Sequence, residues 1–325
     1  LEKQNGKIGL IDVDNWYNLN QCFPNLPLMK LSAHYKNKGD LVEWYDDQKN
    51  YDIVFLSKVF SFTPDFTEKI HADKIIKSGS GYAINLNGGG HEVFNQNNHV
   101  NLHHEIEHLY PDYSLYNITD TAYGFMSRGC PRNCFFCHVG AKEGCKAYKV
   151  ADLNEFWNGQ RNIKLLDPNT LACSEWKNIL SQLIKSNAWV DFTQGVDIRL
   201  MSDEKCDMLM QMKLKHIHFA WDRYKDKDLI IPKFEKFKSI TDFSRSKVSV
   251  YILTNYNTTI EQDLERIMFI RSLDFQPYVM RYNKQNIKRG SKINALARWC
   301  NNKRIFWKCP SFEQYLSDFN NGLWR

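Results

Sequence analysis

The stretch that decides the fold is "RGCPRNCFFC", residues 128–137. It sets three cysteines at spacing C-x3-C-x2-C: Cys130, Cys134 and Cys137. A structural zinc site wants four closed ligands, and an iron–sulfur cubane also takes four. With three thiols in the run, Cys145 or His138 can supply the fourth ligand. Otherwise one iron stays open to a substrate or cofactor.

The surroundings favour the open design. "TAYGFMSRG" (121–129) reads as a strand running straight into the cysteines. Repeated strand–helix alternation follows, through "NIKLLDP", "SEWKNILSQLIKSNAW", "WVDFTQGVDIRL", "SDEKCDMLMQMK", "HIHFAW", "SVYILTN", "IEQDLERIMFI" and "QPYVMRY". In the first of these helices Trp176, Ile179, Leu180, Leu183 and Ile184 share one face. Thr258-x-x-Glu261 reads as a capping box opening the last one. Repeated βα units of this length predict a parallel barrel, complete or partial, of about six strands.

Upstream, "KIGLIDV" is a short apolar run suited to a buried parallel strand. Asn25 can cap the helix that follows, Pro27 suits its first turn and Gly39 can end it. "LVEWY", "YDIVFLSKVF" and "ADKIIKSGSGY" read as further strands, completing a small open α/β unit. Residues 84–118, rich in Gly, Asn and His, read as an irregular connection. "HHEIEH" does not match H-E-x-x-H, so the histidines give no zinc-protease signature.

Composition narrows the classes. The chain has 325 residues, 43% of them hydrophobic, which supports a sizeable core and argues against wholesale disorder. No apolar run is long enough to span a bilayer, and no signal-peptide pattern opens the sequence, so no membrane partner is expected. Nine cysteines without a secretory signal point to a reducing, cytoplasmic setting, where clustered thiols bind metal or do redox chemistry. The net charge of +6 is mild but concentrated in "RYNKQNIKRGSKINALARWCNNKRIFWK", where cations interleave with Trp299, Phe306 and Trp307. That tail reads first as a solvated helix face with packed aromatics, and second as a surface for nucleic acid or another anion.

The cysteine run resembles the signature of the radical S-adenosylmethionine (SAM) superfamily, C-x3-C-x-aromatic-C, with Phe136 at the aromatic position. The resemblance covers about residues 121–283 and implies a partial (βα)6 TIM-like barrel. It implies that Cys130, Cys134 and Cys137 ligate three irons of a 4Fe–4S cluster. SAM would chelate the fourth and be cleaved to methionine and a 5′-deoxyadenosyl radical, which abstracts hydrogen from a substrate. An electron donor such as flavodoxin or ferredoxin is implied as well.

Barrel chemistry sits at the C-terminal ends of strands. Arg199 there suits the SAM carboxylate. Asp167, Asn169, Gln194 and Asp197 are candidates to hydrogen-bond SAM, and Phe136 to pack on its adenine. Each can equally be a structural polar group at a strand end. The Gly-Gly-Glu run common in the superfamily is replaced here by "IKLLDPNT".

The N-terminal unit resembles a Rossmann-like, cobalamin-binding-type domain. It is short, and a D-x-H-x-x-G motif is missing: "DVDNWYNLNQC" holds no histidine. A degenerate domain without cobalamin is the favoured reading. With cobalamin, methyl transfer becomes the expected reaction. The expected organisation is 1–84 small α/β domain, 85–120 linker, 121–283 partial barrel and 284–325 basic extension. A reading from another class is a binding protein whose metal site is closed by Cys145. Cys300 and Cys309 are too few for a second cluster.

Overall fold

The computed structural model describes residues 5–16, 23–86 and 92–323. The far half of the loop after the first strand, Tyr17–Cys22, lies outside the described residues, as does His91. The chain divides into two compact units.

Unit 1 comprises residues 1–124, 129–145 and 151–163. Its strands β1 (Lys7–Asp12), β2 (Leu41–Trp44), β3 (Tyr51–Ser57) and β4 (Ala72–Ser78) form a parallel sheet in the order β2-β1-β3-β4. The helix Leu26–Asn37 crosses from β1 to β2. Asn25 caps it by accepting from the Leu28 N–H at 3.3 Å, and Pro27 occupies its first turn. Gly39 follows its last turn with φ +89°, a conformation glycine adopts without strain. One sheet face buries Ile8, Leu10 and Phe55 with Leu28 and Leu31 of the helix. The other buries Ile11, Val54 and Leu56 with Tyr45, Tyr51 and Phe66. The small open α/β unit expected from the sequence is present.

The stretch after β4 is less irregular than its composition suggests. A short antiparallel pair, β5 (Ile84–Leu86) and β6 (Glu92–Phe94), is followed by a one-turn helix, His104–Glu107. Leu102, Ile106 and Leu115 pack on the helix-side core of this unit. Buried Tyr113 accepts from the Tyr123 N–H at 2.9 Å and donates to the Phe156 carbonyl at 2.7 Å. This ties the stretch to β7 (Thr121–Gly124).

Unit 2 comprises residues 125–128, 146–150 and 164–325. It holds the two-residue strands β8 (Ser127–Arg128) and β9 (Tyr148–Lys149), paired antiparallel. The strands β10 (Asn162–Leu165), β11 (Trp189–Val196), β12 (Leu214–Trp221), β13 (Val248–Thr254) and β14 (Gln276–Arg281) alternate with helices. The sheet runs in sequential order, β14-β13-β12-β11-β10-β7, and β11 to β14 pair parallel.

Its connecting helices are Trp176–Ser186, Asp203–Gln211, Lys227–Thr241 and Ile260–Ser272. They bury apolar stripes on one sheet face. Phe219 of β12 packs on Phe234 and Phe237, with ring centroids 5.6 and 5.0 Å away. The capping box of Ile260–Ser272 sits one residue later than expected. Thr259 accepts from the Gln262 N–H at 3.3 Å, and the Gln262 side chain accepts from the Thr259 N–H at 3.1 Å. The sequence carries two overlapping Thr-x-x-Glu/Gln patterns, and the helix uses the second.

Three short helices, Lys292–Asn301, Lys303–Lys308 and Phe312–Asn320, complete the chain. Trp299 and Phe306 are buried, 4.9 Å apart, and Trp307 donates to Gln276 Oε1 at 2.8 Å. Trp299 and Phe306 of the basic tail are therefore core, Trp307 is half-buried, and Arg298 lies over the Phe319 ring. Cys300 and Cys309 are buried in the same core. Among the described residues no helix is long and apolar enough to cross a membrane.

Candidate functional site

The cysteine run forms the loop between β8 and β9. Gly129 opens it with φ +78°, and Asn133 takes φ +42° between the first two cysteines. The loop is tied to itself. The Cys130 N–H donates to the Gly144 carbonyl at 3.1 Å, and the Cys137 N–H donates to the Cys134 carbonyl at 2.9 Å. The Gly129 N–H donates to Glu143 Oε2 at 3.1 Å, from the short helix Val139–Glu143. Cys130 and Cys134 are half-buried, and Cys137 and Cys145 are exposed. None of the described cysteines is in a disulfide.

Cys145 lies near this helix. A Cβ added at Gly140 would stand 3.4 Å from its sulfur and 2.5 Å from Asn133 Oδ1. Among the described residues, no group of three or more His, Cys, Asp or Glu side chains is gathered as a ready-made metal site. The donor set nevertheless suits a cluster: three thiols in one closed loop, uncommitted to disulfides. Metal binding commonly brings such ligands together.

The polar strand-end residues of unit 2 fall into two groups. Asp167, after β10, is 3% exposed, and both its oxygens are engaged. Oδ1 accepts from the Met126 N–H at 2.8 Å, and Oδ2 accepts from the Ser127 N–H at 2.8 Å and the Ser127 hydroxyl at 2.5 Å. Thr170 adds a bond at 3.3 Å. Burial pushes the Asp167 carboxyl up to about 6 against these donors. Asp167 thus holds the chain where it enters the cysteine loop.

The second group is a relay of side chains. Buried Asn169 accepts from the Asp197 N–H at 3.4 Å. Asp197 accepts from Arg199 Nε at 2.7 Å, and Arg199 Nη1 donates to Asp226 at 2.9 Å. Arg199 therefore already answers two carboxylates of this chain. Gln194 is exposed, at the irregularity where the β11 register shifts between Phe192 and Gly195. Phe136 is half-buried in the cysteine loop.

Two features escaped the sequence reading. Arg266 is fully buried and donates to the carbonyls of Trp221 at 2.6 Å and Leu253 at 2.8 Å, with Asp263 beside it at 2.5 Å. It bridges the ends of β12 and β13. The signal was a charged pair at core positions of a helical stripe, Asp263 and Arg266 beside Ile267 and Ile270. The other is a polar cluster on the sheet face turned away from the helices. His218 stacks on Tyr251 with centroids 5.0 Å apart and lies 4.5 Å from the His216 ring. Its Nε2 is 4.0 Å from Asp191 Oδ1. Asp191 Oδ1 and His218 Nδ1 are buried without hydrogen-bond partners. Burial, with the neighbouring His216 and Lys303, pushes His218 down to about 4. The alternation His216-x-His218 along one strand was the available clue.

Unit 1 has a site of its own. A cavity of about 560 Å³ opens at the C-terminal ends of β1 and β2, walled by Trp16, Phe23, Trp44, Tyr45, Tyr116 and Tyr123. Asp12 lines it and accepts from the Tyr116 hydroxyl and from Asn15 Nδ2, each at 2.6 Å. Ligands of open parallel sheets usually bind where strand order reverses, here between β1 and β3. The chain itself occupies that crevice: Asp14 accepts from the N–H groups of Val59 at 2.6 Å and Phe60 at 3.4 Å, so the cavity opens on the β2 side instead.

No known protein-family profile matches the sequence, and no curated protein matches it. Among solved structures, the chain is similar to the radical S-adenosylmethionine methyltransferase TsrM from Kitasatospora setae, with cobalamin and a 4Fe–4S cluster bound. The TM-score is 0.58 at 10% identity, over 86% of this chain and 75% of that one. The chain shares the fold of that structure. At this identity the likeness is one of architecture. That fold and the three-cysteine motif are two separate observations.

Proposed function

We propose that the protein is a radical SAM enzyme in which Cys130, Cys134 and Cys137 hold a 4Fe–4S cluster and SAM binds at the remaining iron. The observation that carries this reading is the cysteine loop, which follows shortly after the first strand of a sequentially ordered sheet, in a chain similar in fold to a radical SAM methyltransferase. When bound, cluster and SAM together supply a 5′-deoxyadenosyl radical for hydrogen abstraction.

The chain's own residues position and shield. Asp167 fixes the entrance to the loop through Met126 and Ser127. Arg199 is paired with Asp197 and Asp226, so it would meet the SAM carboxylate by exchanging one of those partners. Asn169, Gln194 and Asp197 are the groups for the SAM amino group and ribose, and Phe136 for its adenine. The test is anaerobic reconstitution with iron and sulfide, reduction, and mass-spectrometric detection of 5′-deoxyadenosine and methionine. Product that disappears in Cys134→Ala supports the reading. A loaded cluster that neither responds to SAM nor yields product contradicts it.

A second reading, cobalamin-dependent methyl transfer, is favoured by the aromatic cavity of unit 1. Its walls suit a flat macrocycle, and none of the described residues that line it is a histidine, so a corrinoid there would take no imidazole from those residues. Titration with hydroxocobalamin, followed by tryptophan fluorescence, tests the binding. Formation of S-adenosylhomocysteine rather than 5′-deoxyadenosine would mark the methyl-transfer reaction.

A further inference from the structure

Three arginines line one cavity at the end of unit 2. Arg281 closes β14, Arg289 precedes Gly290, and Arg298 comes from the helix Lys292–Asn301. With Asn294 and Asn301 they surround about 360 Å³.

The surroundings are built. Asn301 accepts from the Val279 N–H at 2.7 Å and donates to the Val279 carbonyl at 3.0 Å, pinning the helix to β14. Asn294 accepts from Arg281 Nη1 at 2.6 Å and donates to the Lys288 carbonyl at 3.0 Å. Arg298 lies over the Phe319 ring, 4.6 Å from its centroid. Gly290 has φ +80°, and a Cβ there would meet nothing within 4 Å, so the cavity mouth is open at the start of the helix. The partial positive charge of a helix N-terminus adds to that of the guanidiniums.

Three other arginines of this unit are paired with carboxylates: Arg199 with Asp197 and Asp226, Arg245 with Asp274, and Arg266 with Asp263. Among the described residues Arg281, Arg289 and Arg298 have no carboxylate partner. The sequence explains this, since no Asp or Glu occurs between Asp274 and Glu313. Several cations held around one concavity repel each other unless an anion joins them. A carboxylate needs one guanidinium. A phosphate, with two charges and tetrahedral oxygens, uses several.

We propose that this cavity binds the phosphate group of a ligand through Arg281, Arg289 and Arg298. The group belongs either to a small phosphoester or to a nucleic-acid backbone, and both present the same chemistry. The site does not depend on the radical SAM reading, and loss of SAM cleavage would leave it unaffected.

The test is calorimetric titration of the full chain with inorganic pyrophosphate, ionic strength being held constant with chloride. One saturable site is expected, with affinity about tenfold or more lower in Arg289→Ala and in Arg281→Lys. Lys303→Ala and Arg304→Ala, basic positions outside the cavity, should leave affinity unchanged. Absence of saturation overturns the proposal. So does equal weakening by the outside variants, or acetate competing as well as pyrophosphate. Competition by adenosine monophosphate alone would assign a small phosphoester. Competition by single-stranded RNA at lower concentration would assign a nucleic-acid backbone.

Discussion

The Asp167 carboxylate accepts both the backbone N–H and the hydroxyl of Ser127, at 2.8 and 2.5 Å, across 40 residues of sequence. That contact stands three residues before Cys130 and fixes the direction in which the chain enters the cysteine loop. Asp167→Asn keeps the shape but turns one acceptor into a donor facing donors. We expect a loss of about 1–3 kcal/mol in urea unfolding at pH 7, with reduced iron uptake on reconstitution.

The same carboxyl predicts a pH signature. Its folded-state pKa is raised from 3.8 to about 6 by burial. The native chain therefore holds a proton that the unfolded chain has released. The stabilisation is full below pH 3.8 and is lost as pH rises through about 6, an effect of about 3 kcal/mol. As pH rises from 3.8 to about 6, the unfolding free energy of the parent should fall relative to that of Asp167→Asn. Parallel curves would contradict the assignment.

His218 acts in the opposite sense. Burial lowers its folded-state pKa from 6.5 to about 4. The stability of the neutral ring is present above pH 6.5 and is lost as pH falls toward 4. His218→Phe keeps a ring against Tyr251 and removes the proton. Its unfolding free energy should fall less on acidification than that of the parent.

Gly124, the last residue of β7, leaves no room for a side chain. A Cβ would stand 2.3 Å from Phe156 Cγ. Gly124→Ala should cost about 1–3 kcal/mol in denaturant unfolding, and Phe156→Leu in the same chain should recover part of it.

The alternation of strand and helix was legible in the sequence because elements carry their own periods and caps, from Asn25 at one helix to the buried stripe of Ile179, Leu180 and Leu183 on another. The Cys130–Cys137 motif was legible because its spacing is local. What was hidden depends on distant partners. Asp167 reads as a strand-end candidate, and only the fold shows that it turns back to Ser127. Thr259 takes the cap that Thr258 predicted, since overlapping patterns are separated only by where the helix begins. In the basic tail Trp299 and Phe306 are buried, in keeping with the packed aromatics read first from the sequence.

The central claim is an iron left open to SAM, and the most direct measurement is the electron paramagnetic resonance spectrum of the reduced, reconstituted chain with and without SAM. The account predicts a 4Fe–4S signal that SAM changes, retained in Cys145→Ala and abolished in Cys134→Ala. A signal indifferent to SAM, and lost in Cys145→Ala, would mean that the site is closed by a fourth thiol, and would contradict it.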